Sequence, residues 1–160
     1  MKTINLIRHA DAANGSPDIE RPLSALGKHT CNTMASRIFQ AGCHFENVFV
    51  STANRTQDTI QIFADALPEQ QIKWKTDSAL YTFEWPELLN WFESIDEACD
   101  EIVIVGHNPA ISELTEFLTG EPMAQVPPCT YIKIHAYLGK WTDLYRECGQ
   151  LIECVYPATR

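Results

Sequence analysis

Two arginines and two histidines stand where apolar runs of the sequence give way to turns. Arg8 and His9 follow one such run, Arg55 lies shortly after a second, and His107 follows a third. Guanidinium groups match phosphoryl oxygens with paired hydrogen bonds, so several arginines in one pocket predict a phosphate site. A histidine is neutral enough near pH 7 to attack phosphorus when its other ring nitrogen is held. The set therefore predicts phosphoryl transfer through a histidine.

Three strand-turn-helix units must bring these residues together. Short apolar or β-branched runs predict buried strands at residues 3–7, 47–51 and 102–105. Apolar spacing predicts helices from a Ser24 cap to Gly42, at residues 54–67 and at residues 110–118. Such alternation indicates a three-layer α/β/α sandwich with a mostly parallel sheet, in which ligands bind beyond the carboxyl ends of the strands. That rule gathers the arginines and histidines at one edge.

The remaining segments complete one predicted domain over residues 1–160. A large apolar face predicts a further helix at residues 85–95, whose aromatic side chains we assign to the core. Alternating residues predict edge or antiparallel strands at residues 131–135, 141–145 and 151–155. A chain of 160 residues is long enough to bury one substantial core.

Composition and charge exclude several functional classes. The formal net charge of −9 argues against nucleic-acid binding, which needs basic surface. The first apolar stretch is interrupted at Arg8, too early for a signal segment or a membrane span, so a cytoplasmic protein is expected. The six cysteines are scattered, which predicts reduced structural thiols. No heptad pattern demands assembly, so a monomer is expected.

Four blocks of the sequence resemble the histidine phosphatase superfamily, in the form seen in SixA-like phosphohistidine phosphatases. In chain order they are LIRHADA at 6–12, RPLSALG at 21–27, STANRTQDT at 51–59 and VGHNP at 105–109. The resemblance implies a phosphoglycerate mutase-like fold and a site without metal or organic cofactor. It implies that His9 accepts the phosphoryl group and that water then releases phosphate. Around the phosphoryl oxygens it places Arg8, Arg55 and His107.

Two further residues are predicted to contact the substrate. Arg21 lies in the second block, where it either adds positive charge at the pocket rim or forms a loop salt bridge. Asn108 directly follows His107 at the end of the third unit. Both are predicted substrate-binding residues.

The general acid departs from the pattern of the superfamily. Many members carry an acidic residue shortly after a leucine in the middle of the chain, where it protonates an alkoxide leaving group. The comparable stretch here is residues 80–84, with Thr82 near the usual acid position and Glu84 displaced by two residues. Asp11 is the other candidate, and its alternative role is to cap or bridge a loop.

A displaced acid favours a substrate whose leaving group needs little protonation. Imidazole leaves from a phosphoramidate far more readily than an alkoxide leaves from an ester. The expected substrate is therefore phosphohistidine in another protein, and the resemblance implies a histidine-containing phosphotransfer domain. The alternatives are a small-molecule phosphomonoesterase with Glu84 as acid and a non-catalytic phosphate-binding module. A mutase fits less well, because no segment for closing the pocket is visible.

Overall fold

The computed structural model describes residues 1–158 as six strands and four α-helices. The strands are β1 (Lys2–Arg8), β2 (Val48–Ser51), β3 (Trp74–Asp77), β4 (Glu101–Gly106), β5 (Tyr131–Ala136) and β6 (Gly149–Val155). The helices are α1 (Ala25–Gln40), α2 (Asn54–Ala66), α3 (Trp85–Trp91) and α4 (Ala110–Thr119). Within residues 1–158, no helix has both the length and the apolar character needed to cross a membrane.

All six strands join one sheet in the order β3-β2-β4-β1-β5-β6. Strands β1 to β4 are parallel to their neighbours among themselves, whereas β5 and β6 add antiparallel pairs at the β1 side. Helices α1 and α2 pack on one face of the sheet, and α3 and α4 pack on the other. The predicted three-layer sandwich with a mostly parallel sheet is confirmed.

The central strands are apolar on both faces because each face is covered by helices. In β1, Ile4 and Leu6 are buried against the layer of α3 and α4, and Ile7 is buried against α1 and α2. Successive strand residues point to opposite faces, so a strand covered on both faces is largely apolar. The polar residue inside this run, Asn5, is buried with its amide bonded to the Ile102 carbonyl and to the Tyr131 hydroxyl. This burial fixes where β1 ends and its polar residues begin.

The register of β1 and β4 sets two candidate residues side by side. Arg8 pairs with Gly106, and the backbone N–H of His9 donates to the Gly106 carbonyl at 3.1 Å. His9 and His107 each follow the end of one of these adjacent strands. Because β1, β4 and β2 are parallel neighbours, their carboxyl ends lie at the same edge of the sheet, as predicted.

The start of α1 is joined to the loop that follows β1. Ser24 caps the helix as predicted, because its Oγ accepts from the Gly27 N–H at 3.0 Å. The same hydroxyl donates to Oδ2 of Asp11 at 2.6 Å, and the Ser24 N–H donates to the Asp11 carbonyl at 2.9 Å. The helix cap thus holds the loop that carries one candidate acid.

One predicted strand is wrong, and one predicted helix is shorter than expected. The strand predicted at residues 141–145 is a single 3₁₀ turn over Trp141–Asp143. Its buried Trp141 ring donates to the Cys99 carbonyl at 2.8 Å, which holds the segment against the loop before β4. The helix predicted at residues 85–95 ends at Trp91 and continues as the 3₁₀ turn Phe92–Ser94.

Strand β3 was not predicted from the sequence. It is a four-residue edge strand whose two middle residues, Lys75 and Thr76, are exposed. A strand of this kind has no apolar run, and only its pairing with β2 reveals it.

We predict that Gly27→Ala destabilises the fold although alanine is the better helix former. A Cβ atom at Gly27 would lie 2.1 Å from the Asp11 carbonyl oxygen, so the loop after β1 would have to move. The free energy of unfolding, measured with urea, should fall by roughly 1–3 kcal/mol. Gly139→Ala is the control, because a Cβ there meets open space. Equal stability of Gly27→Ala and the wild type would contradict the close packing.

Candidate active site

His9 lies at the centre of the candidate site with one ring nitrogen held and the other free to attack. Its Nδ1 lies 2.7 Å from the Ala10 carbonyl oxygen, so Nδ1 carries the proton and donates. The lone pair is left on Nε2, to which Nε of Arg55 donates at 3.3 Å. Burial, reinforced by the charges of Arg55 and Arg8, lowers the pKa of His9 to about 4. The ring is therefore neutral near pH 7, as a nucleophile must be.

His107 is a second buried, neutral histidine beside the first. Its ring centroid lies 5.4 Å from that of His9, and its Nε2 lies 2.8 Å from Oγ of Ser51. Since Arg55 donates to its Nδ1 at 3.4 Å, the proton belongs on Nε2, which donates to Ser51. Burial, together with the nearby His9 and Arg55, lowers the pKa of His107 to about 3.

Asp18 is the residue that compensates the buried Arg55. Arg55 donates from Nη1 to the Asp18 carbonyl at 2.8 Å and from Nη2 to Oδ2 at 3.0 Å. Arg21 donates to Oδ1 at 3.1 Å, and the Tyr81 hydroxyl donates to Oδ2 at 2.5 Å. The Tyr81 hydrogen bond, followed by those from the two arginines, holds the pKa of Asp18 far below its ordinary value. The carboxylate therefore stays ionised.

Arg8 enters the site from β1 with part of its guanidinium unused. Its Nη1 donates to the Val126 carbonyl at 2.7 Å. Its Nε is buried and has no hydrogen-bond partner among residues 1–158, and burial is the main cause that lowers the Arg8 pKa. A buried donor without a partner is costly unless a ligand supplies an acceptor. Arg8 is thus suited to an oxyanion.

A cavity of about 230 Å³ lies among these side chains, but His107 is only 2% exposed and is not part of its wall. Arg8, Arg21, Arg55 and His9 share its wall with the carboxylates of Asp11 and Asp18 and with Phe83, Asn108 and Pro128. A larger cavity of about 810 Å³ borders β3 and α3, but none of the predicted site residues lines it. Positive charge and the free nitrogen of His9 make the smaller cavity the candidate active site.

The two candidate acids lie in different places. Asp11 is on the cavity wall, where its Oδ2 accepts the Ser24 hydroxyl. Glu84 is exposed at the residue before α3 and does not line the cavity. Thr82, which stands near the usual acid position of the superfamily, is buried and donates to Oε2 of Glu87 at 2.6 Å.

The two predicted substrate-binding residues are already bonded within the protein. Asn108 donates to the Val126 carbonyl at 3.1 Å and accepts from the Ser112 N–H at 3.1 Å. Arg21 donates to the Ala13 carbonyl at 3.0 Å as well as to Asp18. Arg21 therefore combines the two roles foreseen for it, a loop salt bridge and positive charge at the cavity rim.

Sequence reasoning missed several residues that hold the site together. Asp18 and Tyr81 lie in irregular segments with no periodic signal, and only their contacts with Arg55 and Arg21 reveal them. Thr59 accepts from the Ala10 N–H at 3.1 Å and donates to the Arg55 carbonyl at 2.7 Å. The sequence signal that could have identified Thr59 is its place in the STANRTQDT block at 51–59.

The arrangement suits transfer of a phosphoryl group to nitrogen. Three guanidinium groups can neutralise the charge on phosphoryl oxygens, and the fixed tautomer of His9 presents an unprotonated Nε2 to the same cavity. Among residues 1–158, no cluster of three or more His, Cys, Asp or Glu side chains could hold a metal ion. The site's charge comes from arginine.

The fold and this site together are those of the phosphoglycerate mutase-like histidine phosphatases. The sequence model of the histidine phosphatase superfamily (branch 1) matches residues 4–88, more than half of the 160 residues. The chain therefore belongs to the histidine phosphatase superfamily. The match includes His9 and Arg55 and stops before His107.

Solved structures share the fold of this chain, and one curated relative is similar to it in sequence. A protein assigned as the phosphohistidine phosphatase SixA of Nakamurella multipartitia superposes with a TM-score of 0.79 at 21% identity, covering 99% of this chain and 97% of that chain. A mycobacterial glucosyl-3-phosphoglycerate phosphatase gives 0.67 at 14%, covering 99% of each. An uncharacterised Picosynechococcus protein is 33% identical over 112 residues, 67% of this chain. The match spans 65% of that relative's length, slightly less than two thirds.

We predict that acid weakens the fold through the two buried histidines. Their pKa values are below the ordinary 6.5, so between pH 6.5 and about 4 the unfolded chain binds protons that the folded chain does not. Stability is therefore present above pH 6.5 and lost on acidification. Each histidine should account for roughly 2 kcal/mol between pH 7 and pH 5. Urea unfolding without phosphate measures this loss.

His9→Asn is the informative variant for this prediction, since it removes one of the two titrating rings. The loss of unfolding free energy between pH 7 and pH 5 should shrink by about half. His29→Asn, on the exposed surface of α1, controls for the removal of an imidazole. A pH dependence that survives His9→Asn unchanged would show that His9 is not buried in its neutral form.

We also predict that Asp18→Asn tightens the binding of inorganic phosphate. Asparagine can still accept from Arg55, but the negative charge that competes with phosphate is gone. Calorimetric titration should give a dissociation constant about threefold to tenfold lower. Glu20→Gln is a matched control, because it removes the same charge from the same short helix. Weaker binding in Asp18→Asn would mean that the carboxylate is needed chiefly to hold the arginines.

Proposed function

We propose that this chain is a phosphatase that takes the phosphoryl group of a phosphorylated histidine onto Nε2 of its own His9 and passes it to water. One observation carries the proposal. His9 is buried, its Nδ1 is bonded to the Ala10 carbonyl, and its free Nε2 faces a cavity that three arginines line. A structural histidine would not require this combination of fixed tautomer and surrounding positive charge.

The first step forms a bond between Nε2 of His9 and phosphorus. The bond from phosphorus to the substrate nitrogen breaks, and its electron pair stays on that nitrogen. Because the other nitrogen of the substrate ring carries a proton, the leaving group departs as neutral imidazole. Arg55 donates to Nε2 in the free site and is placed to follow the phosphoryl oxygens as the bond forms. Arg8 lines the same cavity and adds a second guanidinium charge for these oxygens.

The second step returns His9 to its starting state. Water attacks phosphorus, the Nε2–phosphorus bond breaks, and its electron pair returns to Nε2. The proton lost by the water passes to a base, and Asp11 is a carboxylate on the cavity wall. His107 does not line the cavity and is bonded to Ser51 and Arg55, so its part is to hold Arg55 beside His9. Inorganic phosphate is the product.

The substrate assignment rests on what lies at the leaving-group side of the cavity. Thr82 is turned toward Glu87, Glu84 lies outside the cavity, and Phe83 is the residue of this segment that lines it. An alkoxide leaving group would require a proton donor there, whereas neutral imidazole does not. The overall similarity is also greater to the SixA structure than to the glucosyl-3-phosphoglycerate phosphatase. We therefore favour a phosphotransfer domain that presents a phosphohistidine.

A small-molecule phosphomonoesterase is the second candidate, and the position of Asp11 is the observation in its favour. Its carboxylate is on the cavity wall, so it could protonate a departing alkoxide. In that case Asp11→Asn should abolish the hydrolysis of phosphate esters, and Glu84→Gln should have the same effect if Glu84 is the acid instead. The first step with a phosphohistidine substrate, transfer of the phosphoryl group to His9, should change little in either variant.

The proposal is tested by trapping the phosphorylated enzyme. Wild type and His9→Ala are mixed with a phosphohistidine-bearing domain, quenched rapidly without acid and analysed by mass spectrometry while phosphate release is followed. We expect transient phosphate on the His9 peptide, and a loss of at least about a thousandfold in release for the variant. His29→Ala, on the exposed surface, is the control. Release that survives in His9→Ala excludes this mechanism, and tight phosphate binding without release supports a non-catalytic binding module.

A further inference from the structure

Phe83 is an aromatic side chain that the proposed chemistry has not yet used. It is 39% exposed and lines the active-site cavity. Its ring packs at 5.2 Å from the ring of His107 and at 5.6 Å from that of Tyr81. Because the ring lines the cavity as well as packing on its neighbours, it is placed to contact a bound ligand.

In-line displacement determines where the leaving group must lie. His9 attacks from one side of phosphorus, so the leaving nitrogen lies on the opposite side, away from Nε2. The arginines, the carboxylates of Asp11 and Asp18, and His9 form the charged and nucleophilic part of the wall. Its uncharged part consists of Ala12, Phe83, Asn108 and Pro128. This uncharged part of the wall is left for the leaving group, because the arginine side chains are engaged with the phosphoryl oxygens.

This part of the wall has little to offer a sugar or a glycerol group. Phe83 and Pro128 are apolar, and both polar ends of the Asn108 amide are already bonded to Val126 and Ser112. A polyol would lose hydrogen bonds to water here without replacement. A flat ring would instead gain contact with an aromatic face or edge.

We propose that Phe83 is the specificity-determining residue of this site, forming the platform against which the imidazole ring of a phosphohistidine lies. The inference rests on the proposed function and deepens it by naming the residue that selects the substrate. Phe83 is held in place from behind, because it packs on His107 and on Tyr81, whose hydroxyl is bonded to Asp18. A platform fixed in this way loses little conformational freedom when the substrate ring arrives.

The experiment compares two small substrates with the same type of breaking bond. Phosphoimidazole and phosphoramidate both contain a nitrogen–phosphorus bond, but only phosphoimidazole has a ring. We measure kcat/KM for each with the wild type, with Phe83→Leu, which removes the aromatic ring, and with Phe83→Tyr, which keeps it. Tyr137→Leu is the control, because Tyr137 is an exposed aromatic residue far from the site. It directly follows Ala136, the last residue of β5, which pairs with Lys2 at the opposite end of β1 from Arg8.

The expected result is a change of preference between the two substrates. In Phe83→Leu the ratio of kcat/KM for phosphoimidazole to that for phosphoramidate should fall about threefold to tenfold. Phe83→Tyr should restore the ratio to within about twofold of the wild type, and Tyr137→Leu should leave it unchanged. Thermal unfolding of each variant shows that the fold is kept.

Two different failures can be told apart. If the wild type releases phosphate through His9 but the ratio is the same in Phe83→Leu, the platform is disproved while the proposed phosphatase stands. If phosphoramidate and phosphoimidazole are both stable in the presence of wild type, or are hydrolysed equally well by His9→Ala, the proposed function fails and the platform fails with it.

Discussion

A buried guanidinium group is the constraint on which the rest of the site depends. Arg55 is only 2% exposed, and a buried charge is tolerated only when it is paired and hydrogen-bonded. Asp18 supplies the negative charge, and the ring nitrogens of His9 and His107 accept the remaining donors. Both rings can accept only while they are unprotonated. The need to satisfy Arg55 thus keeps the nucleophile neutral and correctly oriented.

The same network explains how a protein with a net charge of −9 can attract an anion. Three arginines converge on one cavity, and Asp18 forms ion pairs with two of them, Arg21 and Arg55. Surface carboxylates are screened by salt over about 10 Å, whereas charges in a narrow cavity are screened much less. The local potential therefore decides what binds, and the overall charge governs solubility.

The sequence was most informative where residues are fixed by burial. Strands β1, β2 and β4 were predictable because a strand covered on both faces must be apolar, and the polar residues at their ends followed directly. Asp18, Tyr81 and Phe83 were not predictable, because they lie in loops and short turns whose positions depend on tertiary contacts rather than on periodicity. The resemblance indicates Glu84 or Asp11 as the acid. Asp11 lines the cavity, whereas Phe83 rather than Glu84 is the residue of the 80–84 stretch that does so.

Phosphohistidine as substrate also makes the energetics of the first step simple. Transfer from one imidazole nitrogen to another exchanges two bonds of the same type, so that step is nearly balanced in free energy and needs no strong acid. The demanding step is the attack of water, for which the arginines must stabilise charge that develops on the phosphoryl oxygens. This division of labour fits a site that has three arginines and a fixed nucleophile, and in which residues 80–84 present an aromatic ring rather than an acid to the cavity.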